Sequence, residues 1–268
     1  MSKVMTIPTP GGGLATQKMP GHWVLARLGK RVLRPGGMEL TRRMLDSLSI
    51  GSADDVVEFA PGLGLTAQLT LKRHPAYYTA VERDAAAAGI VRSYLKGAHQ
   101  KCVTGSADQT GLPAEVATVV YGEAMLTMQT PELKRRIVSE AHRLLKRGGR
   151  YAIHEMCLVG DGLDEEVKKD INEALSRAIH VGVRPLSVSE WRELIEAEGF
   201  EIKSEVRAPM HLLEPRRLLH DEGMRGALRF IWNVARDRDA RARIFLMRSV
   251  FRRYQANLAA VSLVCVKR

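Results

Sequence analysis

Val56, Val57 and Phe59 form an apolar run that ends at Pro61-Gly62-Leu63-Gly64, and the stretch from Thr66 to Arg73 then carries helix-forming residues. An apolar run of this kind is covered on both faces, as a central parallel strand is, and Pro and Gly terminate it. The alternation continues downstream. Tyr77 to Val81, Lys101 to Thr104, Ala117 to Tyr121, Arg150 to Met156, Phe200 to Val206 and Ala259 to Val266 read as strands. Helices over Asp84 to Lys96, Pro131 to Lys146 and Ser187 to Glu198 separate them, the last opening on a capping-box pair, Ser187 and Glu190. Strand and helix in turn predict an α/β fold with a doubly wound, seven-stranded, mostly parallel sheet.

Three segments stand outside this rhythm. Residues 1–19 form a Pro/Gly-containing leader, and Trp23, Val24, Leu25, Leu28 and Val32 share one helical face, followed after Arg34-Pro35-Gly36-Gly37 by a helix from Met38 to Leu48. Asp164 to Val181 reads as an inserted helix. Between the sixth and last strands lies a longer helical insert whose apolar positions, Leu218, Phe230, Ile231, Trp232, Ile244 and Phe251 among them, need something to pack on. Ligands of open α/β sheets bind at the carboxyl ends of the strands, so the insert is read as a lid over the pocket, with Arg216, Arg217, Arg225 and Arg229 facing an anionic group. The chain divides into leader and cap helices (1–48), a ligand-binding core (49–208), the lid insert (209–258) and the last strand of the core (259–268).

The chemistry gathers at the glycine turn. Gly62 and Gly64 let the backbone approach a ligand, and Glu82, about 20 residues beyond them, ends the second strand where a carboxylate can take ribose hydroxyls. There is no Gly-Lys-Ser/Thr for a P-loop. Glu58, just before the glycines, repels phosphate and suits an amino group or other cation, which also weighs against a dinucleotide.

With Glu58 to Gly64 (EFAPGLG), Ala80 to Asp84 (AVERD), Gly105 to Pro113 (GSADQTGLP) and Leu144 to His154 (LLKRGGRYAIH), the chain resembles the class I S-adenosylmethionine-dependent methyltransferases, in the small-molecule, methyltransferase-11-like branch. The resemblance implies a Rossmann-like sheet whose final strand is antiparallel, and S-adenosyl-L-methionine as cofactor. It implies a binding site made of Glu58, Ala60, Pro61, Gly62, Gly64, Glu82, Arg83, Ser106, Ala107, Asp108 and Glu123. Ala60 stands where the family has its first glycine, a mild change if φ there is negative, and Asp108 stands in for the acid usual after the third strand. Gly36 and Gly37 either let the backbone approach the methionine end of the cofactor, with Gly37 in the site, or form an ordinary turn between helices. Tyr121 and Glu123 follow the fourth strand and His154 ends the fifth, which makes them the catalytic candidates. His154 is the general base by its ordinary pKa, or a buried structural histidine.

Composition narrows the remaining choices. Hydrophobic residues make up 45% of the 268, enough for a buried core, and no apolar run approaches the roughly 20 residues of a membrane span. The N-terminus shows no hydrophobic signal core, and the cytoplasm is the expected location. Cys102, Cys157 and Cys265 form no metal pair, and His211, His220 and Met224 do not share one helical face, so no metal is expected. The net charge of +11 permits a polyanion. Three functions stand: methyl transfer to a small-molecule O, N or S nucleophile, anionic or not; methyl transfer to RNA or another polyanion; and cofactor binding without catalysis.

Overall fold

The structure is a computed structural model that describes residue 10, residues 13–160 and residues 162–268. Most of the leader, residues 1–9, 11 and 12, lies outside these described residues. Helices α1 (Gly21–Arg27) and α2 (Gly37–Leu48) precede β1 (Asp55–Phe59), α3 (Leu65–Leu71), β2 (Tyr77–Glu82), α4 (Ala85–Tyr94), β3 (Gln100–Thr104) and β4 (Ala117–Glu123). A short 3₁₀ turn, Leu126–Met128, leads to α5 (Pro131–Leu144), β5 (Leu145–Leu158), α6 (Glu165–Ile179), β6 (Leu186–Ser187), α7 (Val188–Ala197) and β7 (Phe200–Pro209). The chain closes with α8 (Pro215–Arg236), α9 (Arg238–Arg253) and β8 (Leu258–Lys267).

The strands lie in the order β3-β2-β1-β4-β5-β8-β7, with β6 pairing the end of β5. The first five pair in parallel, and β8 is antiparallel to both β5 and β7. The seven expected strands are present, and β6 adds a two-residue eighth that no apolar period could announce. Local chemistry sets the helix starts. Asp84 accepts from the amides of Ala86 and Ala87 at α4, Thr130 with Pro131 opens α5, and Ser187 and Glu190 close a reciprocal capping box at α7.

Each face of the sheet has its own apolar cluster. One gathers Trp191, Ile195 and Val138 with Val57, Val120 and Ile153; the other gathers Met44, Leu45, Leu48 and Val91 with Val56 and Val119. A third roofs the carboxyl ends of the strands. It joins Val24 and Leu25 of α1, Ile171 and Leu175 of α6, Phe230 of α8 and Met247 of α9.

The roof is latched by buried charge. Glu222 on α8 accepts from the amides of Arg31 and Val32, both at 2.8 Å, and Asp221 accepts from the amide of Met38 at 3.1 Å. Lys30 is wholly buried between them, its amine 3.9 Å from Asp221 and 3.8 Å from Glu222. Gly37 belongs to this latch rather than to a ligand site. A side chain there would collide with the Asp221 carboxylate, 2.6 Å away, and φ is 62°.

Candidate functional site

Strand parity determines what faces the pocket. Residues two apart share a face, and β1, β4 and β5 are in register with Glu58 beside Tyr121 and Glu123 beside His154. Glu58, Tyr121, Glu123 and His154 therefore project to the side covered by α2 and α3. Beyond their strand ends lies a cavity of about 600 Å³.

The glycine turn forms one wall. Ala60 has φ 50°, Gly62 57° and Gly64 71°, all left-handed. The expectation of a negative φ at Ala60 fails, and alanine there carries strain on the order of 1–2 kcal/mol that glycine would not. A Cβ added at Gly62 meets nothing within 4 Å, so the turn opens onto free space. Glu82 braces it from below, accepting from the amide of Gly62 at 3.0 Å and from that of Asp84 at 2.9 Å. Each carboxylate oxygen keeps a lone pair for a further donor.

Glu58 and Glu123 lie at the same wall in opposite electrostatic states. Burial pushes the Glu58 carboxyl up to about 7, against hydrogen bonds donated by Tyr121 at 2.6 Å and Tyr78 at 2.5 Å. Burial also acts to raise Glu123, but Arg34, 3.3 Å away, and the hydrogen bonds of His154 and Thr41 outweigh it and hold this carboxyl at about 2. Thr66 completes the set at 2.5 Å. Glu123 is thus a fixed negative charge, and Glu58 is poised to change protonation with whatever enters.

The structure brings Glu58, Ala60, Pro61, Gly62, Glu82, Arg83, Ser106, Ala107 and Glu123 onto the cavity wall, and leaves Gly37, Gly64, Asp108, Tyr121 and His154 off it. Asp108 is tied instead to Ser106 and Arg136. His154 as general base is corrected by its bonds: fully buried, it holds the Pro35 carbonyl at 2.6 Å through Nε2 and the Glu123 carboxylate at 2.7 Å through Nδ1. Both ring nitrogens are thus engaged within the protein, and neither is presented to the cavity. Tyr121, also fully buried and bonded to Glu58 and to Thr70, is a support and not a reacting group.

Several wall residues carried no sequence signal. Arg34 reaches Glu123 from a turn about 90 residues away, a distance only the fold closes. His22 and Trp23 of α1, rings 4.6 Å apart, also line the cavity, where burial pushes His22 down to about 4 and Asp84 only partly opposes this. The insert between β7 and β8 contributes apolar side chains, Leu212, Met247 and Phe251. Its arginines do not face the cavity: Arg216 and Arg217 line a separate surface hollow with Arg248 and Arg252, while Arg225 and Arg229 are exposed. A long amphipathic helix buries its apolar stripe first, and that stripe excludes the arginines.

The donor set around the glycine turn is acidic, with Glu58, Glu82, Asp84 and Glu123 on the wall. Such a wall accepts hydroxyls and cations and rejects a pyrophosphate. Comparison with known proteins agrees with that chemistry. Residues 57–153 match the family described as "Methyltransferase domain". An uncharacterized protein of Haemophilus influenzae is 32% identical over 231 residues, covering 84% of this chain and 90% of that protein. Among solved structures, phosphoethanolamine N-methyltransferase 2 of Haemonchus contortus in complex with S-adenosyl-L-methionine superposes with a TM-score of 0.67 at 13% identity, over 99% of this chain and 60% of that one. The [4+2]-cyclase SpnF superposes equally well, TM-score 0.67 at 14% identity over 93% of this chain and 96% of that one, so the shared fold alone does not fix the reaction.

Proposed function

Because the chain belongs to the class I S-adenosylmethionine-dependent methyltransferases, with S-adenosylmethionine as its cofactor, we propose that it methylates an oxygen, nitrogen or sulfur of a small molecule with a largely apolar body. The observation that carries this reading is the second half of the cavity wall. Trp23, Met156, Val183, Leu212, Met247 and Phe251, drawn from five separate segments, line it. An apolar half of this kind suits the body of a compact ligand.

Bound S-adenosylmethionine supplies a methyl group already activated on a sulfonium. The residues that fit it are Glu82 for the ribose hydroxyls, the turn from Ala60 to Gly62 for close backbone approach, and Glu58 for the amino group. This chain's residues then have three tasks: to hold the acceptor in line, to exclude water and to keep the surrounding charge fixed. Arg34 and Glu123 do the last, while the roof of α1, α8 and α9 does the second and acts as a lid. With both His154 nitrogens occupied, the reaction runs by proximity on an acceptor that brings its own lone pair. We place it in the cytoplasm; among the described residues no helix is long and apolar enough to cross a membrane.

Incubating the protein with methyl-labelled donor and fractionated cell extract tests the acceptor class. Label is expected in the organic-soluble small molecules. Label in RNA, or no labelled product despite donor binding, would overturn the reading in favour of a polyanion enzyme or a binding protein. A second expectation concerns the donor. Glu82→Ala should weaken S-adenosylhomocysteine binding by about 1.5–3 kcal/mol, the scale of a charged hydrogen bond, in a folded protein. Unchanged calorimetric affinity would remove Glu82 from the site.

A further inference from the structure

After a kink at Gly223, where φ is 71° and ψ 171°, α8 continues as a helix from Met224 to Arg236 whose outward face is left exposed by the described residues. At 100° per residue, Met224, Leu228, Ile231 and Trp232 fall within an arc of about 100°. All four are strongly exposed, at 70%, 61%, 55% and 60%. Ala227 and Phe230 on the other side are buried in the roof cluster, so among the described residues the helix packs without this strip. Phe245 and Leu246 of α9 are exposed as well.

Charge borders the strip on one side. Arg225, Arg229 and Arg236 fall on the adjacent arc of roughly 40°, and no acid occurs between residues 224 and 236. The Arg236 guanidinium lies 5.2 Å from the centre of the Trp232 ring, which leaves its outer hydrogens free for an anion. The nearest acids are engaged elsewhere: Glu222 with the cap amides, and Asp237 with Arg27 and the amide of Ala240.

We propose that this outward face of α8 docks on a membrane surface that contains anionic lipid. An aliphatic strip with tryptophan at its border enters the boundary between headgroups and acyl chains, while arginines beside it reach back to phosphate. A second copy of the chain fits less well. Antiparallel pairing of this strip with itself sets one arginine row against the other, whereas anionic lipid supplies the opposite sign. The excess of 41 basic over 30 acidic residues adds long-range attraction to the same surface. The inference is independent of which acceptor the cavity takes.

The test is cosedimentation of the full chain with vesicles. Binding is expected to vesicles of equal parts phosphatidylcholine and phosphatidylglycerol, weakening as salt rises, and not to phosphatidylcholine alone. Leu228→Ser with Trp232→Ser, and separately Arg225→Glu with Arg229→Glu, should each lower partitioning by roughly tenfold or more. Tyr77→Ser, which alters an exposed side chain on β2, should leave it unchanged. Retained S-adenosylhomocysteine binding shows that each variant is folded. Failure of the unaltered chain to bind the anionic vesicles overturns the proposal, as does binding indifferent to both double variants. A dimer seen by light scattering that the same changes dissolve, without vesicle binding, would assign the strip to a second copy.

Discussion

Glu123→Ala is expected to lower the unfolding free energy by about 3–5 kcal/mol, the cost of breaking a buried ion pair by removing one member, and to abolish turnover in whatever protein still folds. Four groups converge on this carboxylate: the hydroxyls of Thr41 and Thr66, the His154 imidazole and the Arg34 guanidinium. Arg34 is only 8% exposed, so without Glu123 its charge stays buried beside a histidine that has also lost its partner. Glu123→Gln keeps the shape and loses the charge, and it should cost less than alanine. Because the folded carboxyl is held at about 2, below its ordinary 4.5, its contribution is complete above 4.5 and disappears as pH falls toward 2. Urea denaturation between these pH values, with wild type and Glu123→Gln side by side, gives the difference. An alanine variant as stable as wild type would show that the network is decorative.

Glu58 is expected to show the opposite sign. Its folded carboxyl is raised from 4.5 to about 7, so burial favours the protonated form. The stability it contributes is complete below 4.5 and is lost as pH rises through 7. The shift corresponds to roughly 3 kcal/mol across that interval. Glu58→Gln, which stays neutral while keeping acceptors for Tyr78 and Tyr121, should remove that share of the decline. Between pH 5 and 7 the stability of the ligand-free enzyme should therefore fall relative to that of the glutamine variant, the difference isolating Glu58 from the other shifted groups Glu82, Glu155 and His22; parallel curves would rule out the raised carboxyl. Since Glu58 lines the cavity, a cationic ligand pulls its proton off, and binding near neutral pH should release protons. Calorimetry in two buffers of different ionisation enthalpy measures that release.

The inner strands β1, β2, β4 and β8 are legible in the sequence because burial on both faces leaves apolar runs, whereas the half-exposed β3 and β7, with Lys101, Glu201 and Lys203 inside them, are legible from their place in the strand-helix alternation. The glycine turn and Glu82 were legible because strand ends and their spacing place them at one edge. What a strand end does not tell is whether another segment covers the side chain. His154 does not end its strand as expected, since β5 runs on to Leu158, and Pro35 from the cap closes over its ring. For Gly37 the sequence leaves two readings open, room for a ligand or an ordinary turn between helices, and Asp221, from 184 residues later, occupies that room. Arg34 and Trp23 were invisible as wall residues for the same reason, since only tertiary packing brings α1 and the following turn across the strand ends. For the insert, periodicity identified helices that must pack but not which side turns inward, so its arginines were assigned to the pocket when its aliphatic residues are what line it.

The carboxylates of Asp221 and Glu222 that fasten the cap reach it from 183 and 190 residues further along the chain. On the ribosome, at about 5–20 residues per second, that separation is a wait of roughly 10–40 s. Through roughly the last third of it, once β5 has ended at Leu158, the first five strands can already pair, whereas the amides of Val32 and Met38 have only water. The floor of the site is therefore made well before its roof, and a nascent chain carries an open cofactor site until α8 has emerged.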